Sequence, residues 1–263
     1  MKYKVISTDF DGTLLSSTKK LSEENKNALQ KCREHGCIVI GITARNLSSI
    51  KAVCDINIFD YLIINNGTYI YNVREGKGKY VGIISNNTVQ AITDEFIEKS
   101  VGIDYCSVDM YYSNKTKLLV ERPFHLQVTS FSEVEEPVSR INIFGKSNED
   151  VFKMNEEINH KYENLHTITM LDTDNGSDRR WVAINPKNCN KASALKLLVS
   201  ELNIDLNAVI FFGDATNDVE LITQAGLGIA MNNAISEVKD MADDITLTND
   251  ENGVAYYLRK ILK

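Results

Sequence analysis

The sequence predicts an α/β fold: a doubly wound, mostly parallel Rossmann-like core with an α+β domain inserted in it. Three observations carry that expectation. Short apolar, β-branched runs stop abruptly at polar residues and alternate with stretches of helical spacing. Near residue 84 the pattern changes to strands grouped around a charged helix. After Pro186 the first pattern resumes, so one domain draws on both ends of the chain. The expected division is 1–83 for the first part of the core, 84–185 for the insertion and 186–263 for the second part.

Taken in order, Lys4 to Thr8 is a buried strand that stops at Asp9. Leu21, Ala28, Leu29 and Cys32 share a helical face, and Gly36 ends that helix. Cys37 to Ile42 is the next strand, and Asn46 caps a helix to about Val53. Tyr61 to Ile64 is a strand closing on Asn65-Asn66-Gly67, a tight-turn signal. Tyr69 to Val73 and Lys79 to Ile84 read as a hairpin about Gly76 and Gly78. In the insertion, Val89, Ile92 and Phe96 make a helical face. Strands are expected at Lys117 to Val120, Ser139 to Phe144, His166 to Leu171 and Trp181 to Ile184, with a helix from Val151 to Tyr162. The core then resumes with a helix lined by Ala192, Leu195, Leu198, Val199 and Leu202. A strand from Val209 to Phe212, a helix to about Ala225, a strand from Leu227 to Met231 and a closing helix along Val254 to Leu262 follow.

Composition narrows the function classes. The net charge of −7 without a concentrated basic stretch argues against a nucleic-acid partner. The five cysteines are scattered and form no Cys-x-x-Cys pair, which argues against a disulfide framework or a zinc knuckle and favours a cytoplasmic location. No apolar run is long enough to span a bilayer, so no membrane partner is expected. The four histidines are isolated and read as surface or packing residues. Of Tyr111 and Tyr112, packing in the inserted domain is the expected role.

The chemistry concentrates where strands end. Asp9 and Asp11 in Asp9-Phe10-Asp11-Gly12-Thr13 project to the same side of an extended chain, toward the sheet edge where open α/β sheets bind ligands. Two adjacent carboxylates repel each other, and a hard divalent cation such as magnesium removes that repulsion. Alone, the segment reads equally as a solvated Asp-Gly turn. A calcium loop is excluded by Leu14 and Lys20, which stand where such a loop needs glycine and glutamate. Gly213-Asp214-Ala215-Thr216-Asn217-Asp218 repeats the arrangement after the strand at Val209. Thr43 ends another buried strand, with a hydroxyl and following amides suited to phosphate oxygens. Lys191 opens a helix, where its charge opposes the helix dipole; phosphate binding or a solvated lysine both account for it.

In this order the four elements resemble the haloacid dehalogenase-like hydrolases. Asn65-Asn66-Gly67, Ala225-Gly226 with Gly228, Ala230-Met231 and Asn233-Ala234, and Asn252-Gly253-Val254 resemble the Cof-type subfamily with a type IIB cap. The resemblance spans the chain and implies that residues 84–185 form the cap. It implies Asp9 as nucleophile and magnesium ligand, and Asp11 as general acid/base and, through its backbone carbonyl, metal ligand. It implies Asp214 as the third ligand, with Asp218 and Asn217 supporting metal and phosphate. The amides of Phe10 and Ala44, the Thr43 hydroxyl and Lys191 would grip the phosphoryl group. Ala44 and Ala192 stand where the family commonly has glycine. The implied activity is magnesium-dependent phosphatase chemistry, through an aspartyl-phosphate, on a small phosphorylated metabolite, with a sugar phosphate as the family-level expectation. A phosphosugar mutase and a non-catalytic phosphometabolite-binding protein are the alternatives, and the expected state is a monomer or weak homo-oligomer.

Overall fold

The computed structural model describes residues 2–115, 124–172 and 179–262. These fall into two compact units. The first comprises Met1–Arg45, Ile50–Lys79 and Asn190–Lys263, and the second comprises Asn46–Ser49 and Tyr80–Cys189.

The first unit is built on an eight-stranded sheet. Its strands are β1 (Val5–Asp9), β2 (Ile38–Ile42), β3 (Tyr61–Ile64), β4 (Tyr69–Asn72), β5 (Lys77–Tyr80), β12 (Val209–Gly213), β13 (Leu227–Ala230) and β14 (Asp244–Ile245), in the order β14-β13-β12-β1-β2-β3-β4-β5. From β14 to β3 the neighbours are parallel, and β4 turns back antiparallel to β3. All five residues of β1 are buried, which is why that segment reads as a continuous apolar run broken only by polar groups with partners. Its neighbours come from opposite ends of the chain: β2 on one side and β12 on the other. The strand order therefore reverses at β1, and the crevice at the carboxyl ends of β1, β2 and β12 is the place where such sheets take ligands.

Helix α1 (Glu23–Glu34) is capped by Ser22, whose side chain accepts from the Asn25 amide, and it buries Ala28, Leu29 and Cys32. Asn25 is itself buried and joins three segments. Its amide group donates to the Leu14 carbonyl at 3.0 Å and accepts from the Ala255 amide, on helix α8 (Gly253–Ile261), at 2.9 Å. Helix α2 (Leu47–Lys51) follows Asn46, whose side chain accepts from the Ser49 amide as expected of a cap.

The second unit carries a six-stranded sheet in the order β10-β11-β9-β6-β7-β8. The strands are β6 (Gly102–Cys106), β7 (Tyr111–Ser113), β8 (His125–Gln127), β9 (Arg140–Phe144), β10 (Leu165–Asp172) and β11 (Arg179–Pro186). One face packs Ile103, Tyr105, Ile141, Ile143, Val182 and Ile184 against the apolar stripes of helices α3 (Asn86–Phe96) and α4 (Asn148–Lys161). The alternate residues Asp104, Arg140, Asn142 and Asn185 lie on the other face and are buried as well. The tyrosine pair divides accordingly: Tyr112 joins the apolar cluster, while Tyr111 lies against the rings of Phe124 and His125.

Several sequence expectations need correction. Strand β6 was not expected, because Asp104 and Cys106 alternate with Ile103 and Tyr105 in a strand buried on both faces. The second hairpin strand is Lys77–Tyr80 instead of Lys79 to Ile84; the Ile84 amide bonds to the Val138 carbonyl at 2.9 Å within the second unit. The helix after Asp214 begins late, as α6 (Val219–Gln224), behind a 3-10 turn at Thr216–Asp218. The short helix α7 (Ser236–Asp240) and β14 were not anticipated. The expected strand at Lys117 to Val120 lies outside the described residues. Among the described residues no helix is long and apolar enough to cross a membrane. All five cysteines are free.

Candidate active site

Register brings the sequence motifs to one sheet edge. Thr8 on β1 is level with Phe212 on β12, and Asp9 with Ile42 on β2. The chain therefore leaves all three strands together, delivering Asp9, Thr43 and Asp214 to one place. Lys191, the first residue of helix α5 (Lys191–Glu201), enters from the side. That helix is closed by a capping box in which Asn190 accepts from the Ser193 amide at 2.7 Å.

Two glycines make the approach possible. Gly67 has φ +96°, and a Cβ there would stand 2.1 Å from the Asn190 carbonyl oxygen, so the β3–β4 turn can rest directly on the start of α5. Gly12 has φ +82°, and its Cβ would stand 2.2 Å from Asp214 Oδ2. The loop carrying Gly12 is held from across the sheet by Asn233, whose Nδ2 donates to the Gly12 carbonyl at 2.7 Å.

At the centre, Lys191 Nζ donates to Asp9 Oδ1 and to Asp218 Oδ1, each at 2.7 Å. Lys191, Asp9 and Asp218 are 4, 5 and 0% exposed. Asp218 Oδ2 accepts from the amides of Asp214 and Ala215 at 3.1 and 3.2 Å, which fixes this carboxylate with backbone donors. Thr13 Oγ1 donates to Asp214 Oδ1 at 2.6 Å. Burial and the nearby Asp218 and Asp214 carboxylates push the pKa of Asp9 well above its ordinary value, against the pull of Lys191. Burial raises Asp214 to about 6, with Asp218 adding to it and the Thr13 hydroxyl opposing. Burial alone would depress the Lys191 ammonium; Asp218 and Asp9 outweigh it and hold its pKa above the ordinary range.

Asp9, Asp214 and Asp218 each offer an oxygen within 4.8 Å of the others. When all three are ionised, the carboxylates carry two more negative charges than the Lys191 ammonium cancels, a crowding that contributes to the raised pKa values of Asp9 and Asp214 and that a divalent cation would balance. The donors are all hard oxygens. Lys191 occupies Oδ1 of Asp9 and Thr13 occupies Oδ1 of Asp214, so the second oxygen of each carboxylate is the one placed to take an ion. The residues present fit such a group.

Thr43 and Ala44 continue beyond β2. The Thr43 amide bonds to the Ile63 carbonyl at 2.8 Å, and its hydroxyl accepts from the Arg45 amide at 3.1 Å. Ala44 is not among the residues with positive φ, so alanine fits without strain where glycine is common. Ala192 lies inside α5, where alanine is the better residue. Phe10 is fully buried with its ring 5.3 Å from that of Phe59, and its carbonyl closes the turn by accepting from the amides of Thr13 and Leu15. Asn217 is exposed in the 3-10 turn and stands outside the hydrogen-bonded centre.

Asp11 stands apart. Its carboxylate is not part of the metal-capable group; Arg45 Nε and Nη2 donate to its two oxygens at 2.7 Å each, and Lys19 Nζ lies 3.0 Å from Oδ1. Burial would raise this carboxyl, but Arg45 and then Lys19 bring it down to about 2. Sequence reasoning missed both basic residues. The one available signal was that Arg45 follows Thr43 by two positions on the same turn.

A family model described as haloacid dehalogenase-like hydrolase matches residues 6–258. The phosphatase YwpJ of Bacillus subtilis is 28% identical, over 98% of this chain and all of the relative. The 5-amino-6-(5-phospho-D-ribitylamino)uracil phosphatase YcsE of the same organism is 29% identical, over 97% of this chain and 94% of its own. A crystal structure of a haloacid dehalogenase-like hydrolase from Bacteroides thetaiotaomicron superposes with a TM-score of 0.85 at 24% identity, covering 98% of this chain and 99% of that one, which supports the fold. The strand-end carboxylates, the buried lysine and a family match running almost from end to end agree, and the chain belongs to the haloacid dehalogenase-like hydrolases, among their phosphoric monoester hydrolases.

Proposed function

We propose that the protein is a magnesium-dependent phosphatase that hydrolyses a small phosphorylated metabolite, a sugar phosphate or similar polyol ester, through a phosphoryl group carried on Asp9. The observation that carries this reading is the buried Asp9 carboxylate, oriented by Lys191 and set beside Asp214 and Asp218 in a crowding that a divalent cation would balance. The substrate class is supported by the name of the relative YcsE, whose substrate is a phosphoribityl compound. Free cysteines throughout agree with a cytoplasmic setting.

Asp9, Asp214 and Asp218 would hold the ion, with the Asp11 carbonyl beside them. Magnesium supplies charge neutralisation for a dianionic ester approaching a carboxylate. The remaining work falls to the chain. Lys191 favours the ionised form of Asp9 against the effect of burial, aims it, and offers its third hydrogen to a phosphoryl oxygen. The Thr43 hydroxyl and the amides of Phe10 and Ala44 bind the other oxygens. One Asp9 oxygen forms a bond to phosphorus as the ester P–O bond breaks; Asp11, which Arg45 and Lys19 hold ionised in this structure, must leave that pairing and take up a proton before it gives one to the departing oxygen. Asp11, now a carboxylate, takes a proton from water as that water attacks the aspartyl-phosphate. Asp9 and inorganic phosphate are the result. The second unit, with the inserted segment as its bulk, would serve as the cap that admits the substrate.

The test is phosphate release from a panel of phosphomonoesters by the purified protein, with magnesium and with chelator, alongside Asp9→Asn. Magnesium-dependent release that Asp9→Asn abolishes is expected. Release that survives Asp9→Asn refutes the mechanism.

A further inference from the structure

The two faces of the six-stranded sheet differ in chemistry. One carries the apolar residues that meet helices α3 and α4. On the other, a polar row crosses the sheet. Tyr111 on β7 is level with Cys106 on β6, Cys106 with Arg140 on β9, and Asn185 on β11 with His166 on β10. Asn185 stands one step beyond the Ile184–Ile141 pair, beside Arg140. Asp104 and Asn142 are level with each other in the next row of the same face.

Several of these groups are held in place. Ser113 Oγ donates to Asp104 Oδ1 at 2.5 Å, and Arg140 is engaged by Cys106 and Tyr111. The Tyr111 hydroxyl accepts from the Asn46 amide at 3.3 Å, which ties the end of the row to the segment Asn46–Ser49 of the same unit. The asparagines are different. Among the described residues, Oδ1 and Nδ2 of Asn185, Oδ1 of Asn142 and Nδ2 of Asn46 are buried with no hydrogen-bond partner. Asn185 and Asn46 are fully buried and Asn142 is 6% exposed. A buried amide without a partner costs the fold its whole desolvation and returns nothing, so such a group suits a ligand better than a scaffold.

What these side chains lack defines the ligand. Two carbonyl oxygens need donors and two amide nitrogens need acceptors, and they come from three separate segments. A carboxylate or phosphate offers acceptors only and leaves both carbonyl oxygens unmet. A hydroxyl donates and accepts, so a run of hydroxyls meets both kinds of demand. The chain itself links this row to the phosphate-binding turn: Asn46 directly follows Arg45, whose amide donates to Thr43 Oγ1 at 3.1 Å. We propose that Asn185, with Asn142 and Asn46, binds the polyhydroxylated part of the substrate, a sugar or an open-chain polyol. This rests on the proposed function and names what its metabolite carries beyond the phosphate. Asn185 selects the substrate and takes no part in the phosphoryl transfer.

The test compares esters with and without hydroxyls on the leaving group. Phosphate release is followed at steady state, with magnesium, from a panel of sugar and polyol phosphates that includes ribitol 5-phosphate and glucose 6-phosphate, and from 4-nitrophenyl phosphate. Asn185→Leu keeps the branching of the side chain and removes both polar atoms. It is expected to lower kcat/KM on the polyol esters that wild type cleaves about 10- to 100-fold, and to leave the nitrophenyl ester within about twofold. Its Tm should be no lower than that of wild type, because no hydrogen bond of the side chain is lost. A purely structural asparagine gives the reverse, a lower Tm with equal losses on every ester. Asn142→Leu gives up only the 3.4 Å contact of Nδ2 with Cys106 Sγ and should show the same selective defect, which covers the case in which Asn185→Leu folds poorly. Unchanged kcat/KM on the polyol esters, or equal losses on all esters, would overturn the site. A wild type that cleaves the nitrophenyl ester and no polyol ester would overturn the ligand class and leave the proposed function standing. A wild type that cleaves none of them with magnesium would remove the proposed function, and this inference with it.

Discussion

Replacing Lys191 by methionine keeps most of the side-chain volume and deletes the charge that balances Asp9 and Asp218. At 2.7 Å and an effective dielectric near 20, each of these pairs is worth roughly 6 kcal/mol of Coulomb attraction. The net loss is smaller, because the lysine no longer has to be desolvated. Breaking a buried pair by removing one partner costs about 3–5 kcal/mol. For a chain of this length that corresponds to a fall in Tm of roughly 6–20 °C. The loss depends on pH in a definite direction. Asp9 already has a raised pKa, and without Lys191 it rises further; a carboxyl whose folded pKa is raised stabilises the fold below its unfolded pKa and loses that contribution as pH rises through the folded one. Lys191→Met should therefore lie closer to wild type in acid than at pH 8.

The assay is thermal unfolding in chelator, followed by far-ultraviolet circular dichroism. The single tryptophan, Trp181, lies on β11 in the second unit, so its fluorescence gives a separate signal for that unit. The drop should appear in the dichroism before the tryptophan signal moves. An unchanged Tm at pH 8, or a larger deficit in acid than in base, would refute the charge argument.

Two other substitutions test the structure away from the reacting atoms. Gly67→Ala requires a Cβ 2.1 Å from the Asn190 carbonyl at φ +96°, so the turn or the start of α5 must shift. A stability loss of about 2 kcal/mol or more and a fall in kcat larger than the change in KM are expected from denaturant titration and steady-state kinetics. In the second unit, burial raises Asp104 to about 6 despite the Ser113 hydroxyl at 2.5 Å, and Arg140 and Arg179 pull the other way. The stability it lends in acid is lost as pH rises from about 4 through about 6, a shift worth roughly 3 kcal/mol. Asp104→Asn should match wild type near pH 4 and exceed it at pH 7. A variant less stable than wild type at pH 7 would show that the ionised carboxylate is a net asset there.

The parts of the site that could be read in the sequence are those that a single strand end carries. Asp9, Thr43 and Asp214 each follow a run of buried apolar residues, and parallel pairing does the rest. What could not be read depends on contacts between distant segments. Asn65-Asn66-Gly67 is visible as a turn, but its packing on Asn190 joins segments more than a hundred residues apart. Arg45 looks like any basic residue after a strand until its fork is seen on Asp11. Strand β6 escaped because local pattern assigns Asp104 to solvent, whereas Ser113 and the opposite sheet face keep it buried.

The way each acid is held separates its task. Asp9 is the last residue of a central strand, and Asp218 is bound by two backbone amides; neither can move without moving the sheet or the turn. Asp214 sits one residue beyond β12 with a hydroxyl on one oxygen and the other left for an ion. These three suit a fixed metal-binding frame. Asp11 lies beyond the end of β1, its side chain is 36% exposed, and among the described residues the side chains of Arg45 and Lys19 hold it. In the proposed mechanism Asp11 exchanges a proton with the departing oxygen and later with water, which requires a displacement that frees it from Arg45 and Lys19. Side-chain tethers at the rim of a rigid strand end can let go of the carboxyl so that it takes up a proton, which anchoring by backbone amides inside the metal-capable group would not allow.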